Sequence, residues 1–412
     1  MTLCGTSTPE GSQEAKLPRR DWVVLPLLGL LTICLLAGSA ELIATLRFPR
    51  YKGKVEDCLV LDHPATGARG IPNCKCFGGV NEGPLVEYSF NSCGDRSELA
   101  CDRKPAGTFR MVAVGASQAF GYGVARESTI DALLAAELSR QTGHPVEVYN
   151  QAMARFGYPH VVALRFKETL AARPDLILWI LTPHDVEAEP VASANAEIVR
   201  PAAAETPARG KPSGPLRKVW SLARDEFGNK PIPDAIREMA DRTRSVLLLR
   251  VLLYANRQRY IRNFMMGGGD AEYLKSDFNA ASEQQLHLVD EDVATMEEQA
   301  AAAGIPFAAV LVPNRAQAAM ISMGQWPADA DPFKLNEELR AIVTRHGGIY
   351  LDILPDFQKL PDSEQGFFRV DGHLNAAGNA MVAQMLDQEL HHAAIRSLTQ
   401  AGPTGYLREK GK

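Results

Sequence analysis

The chain lacks any excess of basic residues: 44 Lys and Arg against 49 Asp and Glu give a net charge of −5. A phosphate-tracking surface therefore has no compositional support, and nucleic acid is not an expected partner. No internal repeat is present. Only nine histidines are available, and the cysteines lack the paired C-x-x-C units of a zinc site, so neither a metal nor a cofactor is expected. Charge is missing altogether from residues 22–40, "WVVLPLLGLLTICLLAGSA". An uncharged run of that length suits a bilayer span.

What surrounds that run orients it. Lys16, Arg19 and Arg20 precede it closely, which by the positive-inside tendency keeps the N-terminus in the cytoplasm and sends the rest of the chain across. The expected layout is a cytoplasmic tail at 1–20, a membrane anchor at 21–46 and everything later outside the cytoplasm. A cleaved signal peptide is the alternative, since Gly38 and Ala40 offer small residues to a signal peptidase; a buried core helix is the third reading.

Cysteine placement bears on the same question. Of seven cysteines, Cys58, Cys74, Cys76, Cys93 and Cys101 crowd into one turn-rich stretch just beyond the apolar run. Two disulfides with one cysteine left over would staple such a segment in an oxidising compartment; a zinc site and free thiols are the alternatives. We treat 50–106 as a Cys-rich lead-in.

From residue 107 the pattern becomes strand, loop, helix, repeated. "FRMVAVG", "VEVYN", "DLILWILT", "PFAAVLV" and "IYLDI" read as strands, and helical spacing separates them. Five strands alternating with helices predict a three-layer α/β fold on a parallel sheet. The unit spans 107–395, followed by a tail at 396–412. An insertion at about 186–285 begins with an Ala/Pro-rich stretch and continues with "RTRSVLLLRVLLYANRQRYIRNF", which reads as one amphipathic helix packing on the domain or on the membrane surface.

Functional groups in such sheets collect at the carboxyl ends of the strands. Ser117 stands there, two residues past the first strand on the glycine-rich turn "GASQAFGYG". A serine nucleophile needs a base. "VDGHLN" places Asp371 and His373 two residues apart, after the last strand and before the last helix, where the carboxylate can fix the tautomer of the ring. Taken singly, each is an ordinary turn; both fall on one sheet edge.

The blocks "VAVGASQAFGYGV", "VYNQAMARFGY", "PDLILWILTPHDVE" and "DGHLNAAGNAMVA" resemble, in order and spacing, the four blocks of SGNH hydrolases, also called the GDSL family. The cysteine-rich lead-in is similar to that of membrane-anchored members. The resemblance implies a flavodoxin-like sheet, a nucleophile at Ser117, a base at His373 and its orienting carboxylate at Asp371. It departs from the family at three places. Ala116 replaces the aspartate of Gly-Asp-Ser. Arg155 stands at the second-block glycine, where it keeps a backbone N–H for an oxyanion but is expected to crowd the pocket. His184 stands at the asparagine that would donate to the oxyanion, and losing one such donor costs about 3 kcal/mol. Asp185 reads as structural. The implied activity is deacylation, above all deacetylation, of a glycan or glycolipid by an extracytoplasmic serine esterase. The alternatives are an O-acyltransferase with the same triad and a non-catalytic glycan-binding protein. The expected partners are an acylated carbohydrate or lipid-linked glycan and, through 22–40, the membrane.

Overall fold

The computed structural model describes residues 18–393 apart from 19, 52, 64–66, 102, 187–242 and 268. The Ala/Pro-rich part of the insertion and the tail therefore lie outside the described residues. The uncharged run forms the helix Asp21–Arg47, with Pro26 inside it. It is long and apolar enough to cross a membrane, with a mean hydropathy of 2.3 over its best window. That fits a single-pass anchor, although a signal sequence passes the same test.

The lead-in folds as two small antiparallel hairpins. β1 (Leu59–His63) pairs with β2 (Gly67–Gly70), and β3 (Lys75–Gly78) with β4 (Val86–Ser89). Strands this short bury too little to stand alone. Disulfides Cys58–Cys74 and Cys93–Cys101 staple them, and the odd cysteine, Cys76, is buried.

The main sheet has five strands: β5 (Phe109–Gly115), β6 (Val146–Asn150), β7 (Leu176–Leu181), β8 (Phe307–Leu311) and β9 (Ile349–Leu351), ordered β6-β5-β7-β8-β9. All four pairings are parallel. Every residue of β5, β7 and β8 is buried, as expected for parallel strands covered on both faces. The helices Ile130–Thr142 and Ala376–His392 pack together, while Ala280–Ala302 packs on Pro159–Leu164 and Lys334–Arg345. The expected three-layer architecture is present.

Several local expectations change. The arginine- and leucine-rich stretch is two helices, Arg244–Leu253 and Arg257–Met265, because the Asn256 side chain accepts from Arg259 N at 2.9 Å and starts a new helix. Asn279 likewise caps the helix Ala280–Ala302, its side chain accepting from Ser282 N at 2.9 Å. A further helix, Arg315–Met323, follows β8 without having been anticipated.

The first of the two helices from the insertion meets the N-terminal apolar helix. It packs on the last turns of Asp21–Arg47, where Ala44 is fully buried. Glu41 accepts from the backbone N–H groups of Arg244 and Ser245 at 2.9 and 2.8 Å, so a carboxylate of the N-terminal helix caps a domain helix. A negative charge at a helix N-terminus is stabilising there.

Candidate active site

The Ser117 turn is built by a strand that ends on a residue only glycine can be. Gly115 has φ of +143°, and a Cβ there would lie 2.3 Å from the Ile180 carbonyl oxygen of β7. The turn so formed puts Ser117 at the first position of the short helix Ser117–Phe120, whose first-turn N–H groups have no intrahelical acceptor. Asn150, at the end of β6, donates to the Ala119 carbonyl at 2.8 Å, and Met153 N donates to the Gly115 carbonyl at 3.0 Å. Second-strand and first-strand ends are thereby locked together.

The Asp–His loop arrives from the other end of the sheet. Phe368 N donates to the His373 carbonyl at 2.8 Å and Gly372 N to the Phe368 carbonyl at 3.0 Å, closing a tight loop. Gly372, with φ of +89°, supplies the left-handed step. Asn375 then caps the final helix by accepting from Gly378 N at 3.1 Å. Gln118, the residue after the serine, accepts from Leu374 N at 3.0 Å and ties the two halves.

The three residues picked out from sequence meet. His373 Nε2 lies 2.7 Å from Ser117 Oγ, and His373 Nδ1 lies 2.6 Å from Asp371 Oδ1. Asp371 Oδ1 also accepts from the His373 backbone N at 3.3 Å, which holds carboxylate and ring in one plane of contact. The Tyr122 ring packs on the imidazole with centroids 5.0 Å apart. Burial, then the nearby Tyr88 and Asp371, pushes the Tyr122 phenol up to about 12, so it stays a neutral wall of the site.

Arg155 does occupy a glycine-type position. Its φ is +69°, a left-handed conformation that a side chain adopts at a cost of roughly 1 kcal/mol. The expected crowding does not occur: the guanidinium is largely exposed and lies 3.5 Å from the Glu56 carboxylate. His184, on the helix Pro183–Val186 after β7, is held through Nδ1 by Asp270 Oδ1 at 2.9 Å. A carboxylate partner fixes the proton on Nδ1, so in the neutral ring Nε2 is an acceptor. His184 can therefore donate to an oxyanion only as an imidazolium. Asp185 is structural as read: buried, it accepts from Thr182 N at 2.7 Å and from Thr182 Oγ1 at 3.0 Å, and burial pushes its carboxyl up to about 6.

Two lead-in residues reach the serine turn without any sequence signal. The fully buried Arg96 donates to the carbonyls of Phe120, Gly121 and Val124 at 2.7, 2.6 and 2.7 Å, clamping the far end of the nucleophile turn. Burial pulls its guanidinium down to about 10, still charged at neutral pH. Tyr88 accepts from Gly123 N at 3.0 Å through its hydroxyl. A cavity of about 190 Å³, lined by Asn81, Glu82, Arg244, Leu247 and Arg250 among others, opens beside Asp371. A larger cleft of about 680 Å³, lined by Arg69, Asp95, Gln151 and Arg165 among others, includes no triad residue in its walls.

The five-stranded parallel sheet and the match of residues 272–412 to a family model make the chain similar to SGNH hydrolase-like domains. The matching model is described as "SGNH hydrolase-like domain, acetyltransferase AlgX"; it covers about a third of the chain and includes Asp371 and His373 but not Ser117. No curated protein matches the chain. Among solved structures, TesA is 12% identical with a TM-score of 0.36, covering 68% of this chain and 97% of its own. The acetyl xylan esterase AlAXEase is 11% identical with a TM-score of 0.36, covering 68% and 98%. A lipase/acylhydrolase from Enterococcus faecalis is 11% identical with a TM-score of 0.32, covering 69% and 96%.

Proposed function

We propose that the protein is an extracytoplasmic acyl-ester enzyme that removes an acyl group, acetyl above all, from a glycan or glycolipid through Ser117, His373 and Asp371. The observation that carries this reading is the continuous relay of 2.7 and 2.6 Å contacts from serine to imidazole to carboxylate. As Ser117 Oγ attacks the acyl carbon, its proton passes to His373 Nε2, and Asp371 stabilises the imidazolium. The tetrahedral oxyanion takes hydrogen bonds from the Ser117 and Arg155 backbone N–H groups, with His184 a third donor when protonated. The alcohol of the glycan leaves with the proton from His373, giving an acyl-serine. Water, deprotonated by the same imidazole, then releases the acid.

A second reading is favoured by the family description, which names an acetyltransferase. In it a sugar hydroxyl, not water, resolves the acyl-serine; the first half of the reaction is unchanged. The anchor-like helix and the two disulfides support placing the domain outside the cytoplasm.

A fluorophosphonate probe tests the shared step. The full chain should be labelled at Ser117, and Ser117→Ala or His373→Ala should lower ester turnover by several orders of magnitude, with the double variant hardly worse than either. Near wild-type turnover in folded Ser117→Ala ends both readings. An isotopically labelled acetyl donor separates them: label in free acetate supports hydrolysis, label on a glycan acceptor supports transfer.

A further inference from the structure

The Asp–His loop carries a glycine at 372, and its own backbone bonds join Gly366 to Asn375 and Phe368 to Gly372 and His373. Its outer edge, residues 370–371, is held from elsewhere. Glu82, on the loop between β3 and β4 of the lead-in, accepts from Val370 N at 2.6 Å and from Asp371 N at 2.9 Å through the single oxygen Oε1. Two consecutive backbone N–H groups converging on one carboxylate oxygen fix the direction of the peptide between them, and so the direction in which the Asp371 side chain leaves the chain. The neighbouring Asn81 is fixed in turn: Arg244 donates to its side-chain oxygen at 3.0 Å, and the Arg244 backbone sits on Glu41 of the anchor helix. Arg315 holds the other flank of the same loop, donating to the Arg369 carbonyl at 2.6 Å.

We propose that Glu82 is a positioning residue of the triad: its carboxylate oxygen, presented by the lead-in, aims Asp371 at His373. The proposal rests on the reading of Ser117, His373 and Asp371 as the reacting unit. Charge–charge repulsion between Glu82 and Asp371 is offset by the two N–H donors and by Arg315 nearby. Burial raises the Glu82 carboxyl above its ordinary value, and the same donors oppose that rise. The role belongs to the acceptor atom, so a glutamine, whose amide oxygen stands in the same place, should preserve it, whereas a methionine of similar length should not.

The test uses the full chain in detergent with a small ester substrate. Glu82→Met should lower kcat by about 100-fold, the scale set by an ångström of misplacement, with KM within about twofold. Glu82→Gln should stay within about threefold of wild type in both. If Glu82→Met does not fold, Glu82→Ala, which admits water to the two N–H groups, replaces it with the same expected loss of kcat. Wild-type kcat in a folded Glu82→Met or Glu82→Ala, or equal losses in the glutamine and methionine variants, overturns the proposal. Proton NMR gives a readout that needs no turnover: the far-downfield resonance of the His373 Nδ1 proton, assigned by its absence in His373→Ala, should persist in Glu82→Gln and vanish in Glu82→Met. Wild-type protein that shows this resonance but takes no fluorophosphonate would sink the esterase and transferase readings while leaving Glu82's positioning to be judged on the resonance alone.

Discussion

The parallel sheet and the lead-in grip the same serine turn by opposite means. On the sheet side, β5, β7 and β8 are buried along their whole lengths, and the Gly115 turn is locked by backbone contact with Ile180. On the lead-in side the apolar contact with the turn is confined to a few residues, with Tyr88 and Phe90 packed on Phe120. Two-stranded hairpins, two disulfides and one buried guanidinium hold the serine turn, and one carboxylate holds the neighbouring Asp–His loop. The first kind of grip is mostly non-directional and spread over many side chains, with the Asn150 bond to the Ala119 carbonyl added to it. The second is concentrated in a few directed contacts, so single substitutions should tell.

The largest expected effect is therefore at Arg96. Arg96→Met removes a buried charge that satisfies three carbonyls and should cost about 3–5 kcal/mol, read by urea unfolding, with a matching fall in fluorophosphonate labelling of Ser117. An unchanged midpoint would mean that the lead-in is dispensable to the turn and the comparison fails. Next comes the staple: Cys58→Ser with Cys74→Ser opens a loop of separation 16 and should lower stability by about 3 kcal/mol, whereas reduction of a protein held by its sheet alone would leave the unfolding midpoint in place.

On the sheet side the sharpest probe is a titration. The Asp185 carboxyl is raised from 3.8 to about 6 in the fold. Its folded state thus favours the proton, so its contribution to stability is full below about pH 4 and is lost as pH rises through about 6. Asp185→Asn should flatten the stability profile over that window by about 1–3 kcal/mol, measured as unfolding midpoints across pH; an unaltered slope would refute the assignment. The smallest effect is at Arg155, where Gly should relieve the left-handed strain and stabilise by about 1 kcal/mol. A destabilised Arg155→Gly would show that the 3.5 Å approach of the guanidinium to Glu56 outweighs that strain.

This division also decides what could be read from the sequence. The sheet and the meeting of Ser117, His373 and Asp371 were legible because their signals are local: apolar runs, a glycine turn beside Ser117, and Asp371 two residues from His373. Arg96 and Glu82 were not, because each acts across long separations, Glu82 on a backbone N–H 288 residues away, and a hairpin loop carries no periodicity to mark which carboxylate is used. His184 was legible as a replacement for a family asparagine, but its partner Asp270 stands inside the insertion, 86 residues on, and only that pairing fixes the tautomer. The leucine-rich stretch looked continuous because hydrophobic spacing runs through Tyr254–Asn256 without a proline or glycine; the break comes from a side-chain cap, which spacing does not encode.

The capping of helix Arg244–Leu253 by Glu41 has a mechanical consequence. A domain hung from a bilayer by a slack linker samples every tilt and swings its cleft past passing substrates. Where Asp21–Arg47 crosses a bilayer, the Glu41 cap and the buried Ala44 contact turn such a hanger into a bracket. The helix axis and the domain then move as one piece. The opening beside Asp371 is presented at a set height and bearing above the lipid, and the membrane's own orientation becomes part of how a substrate must approach.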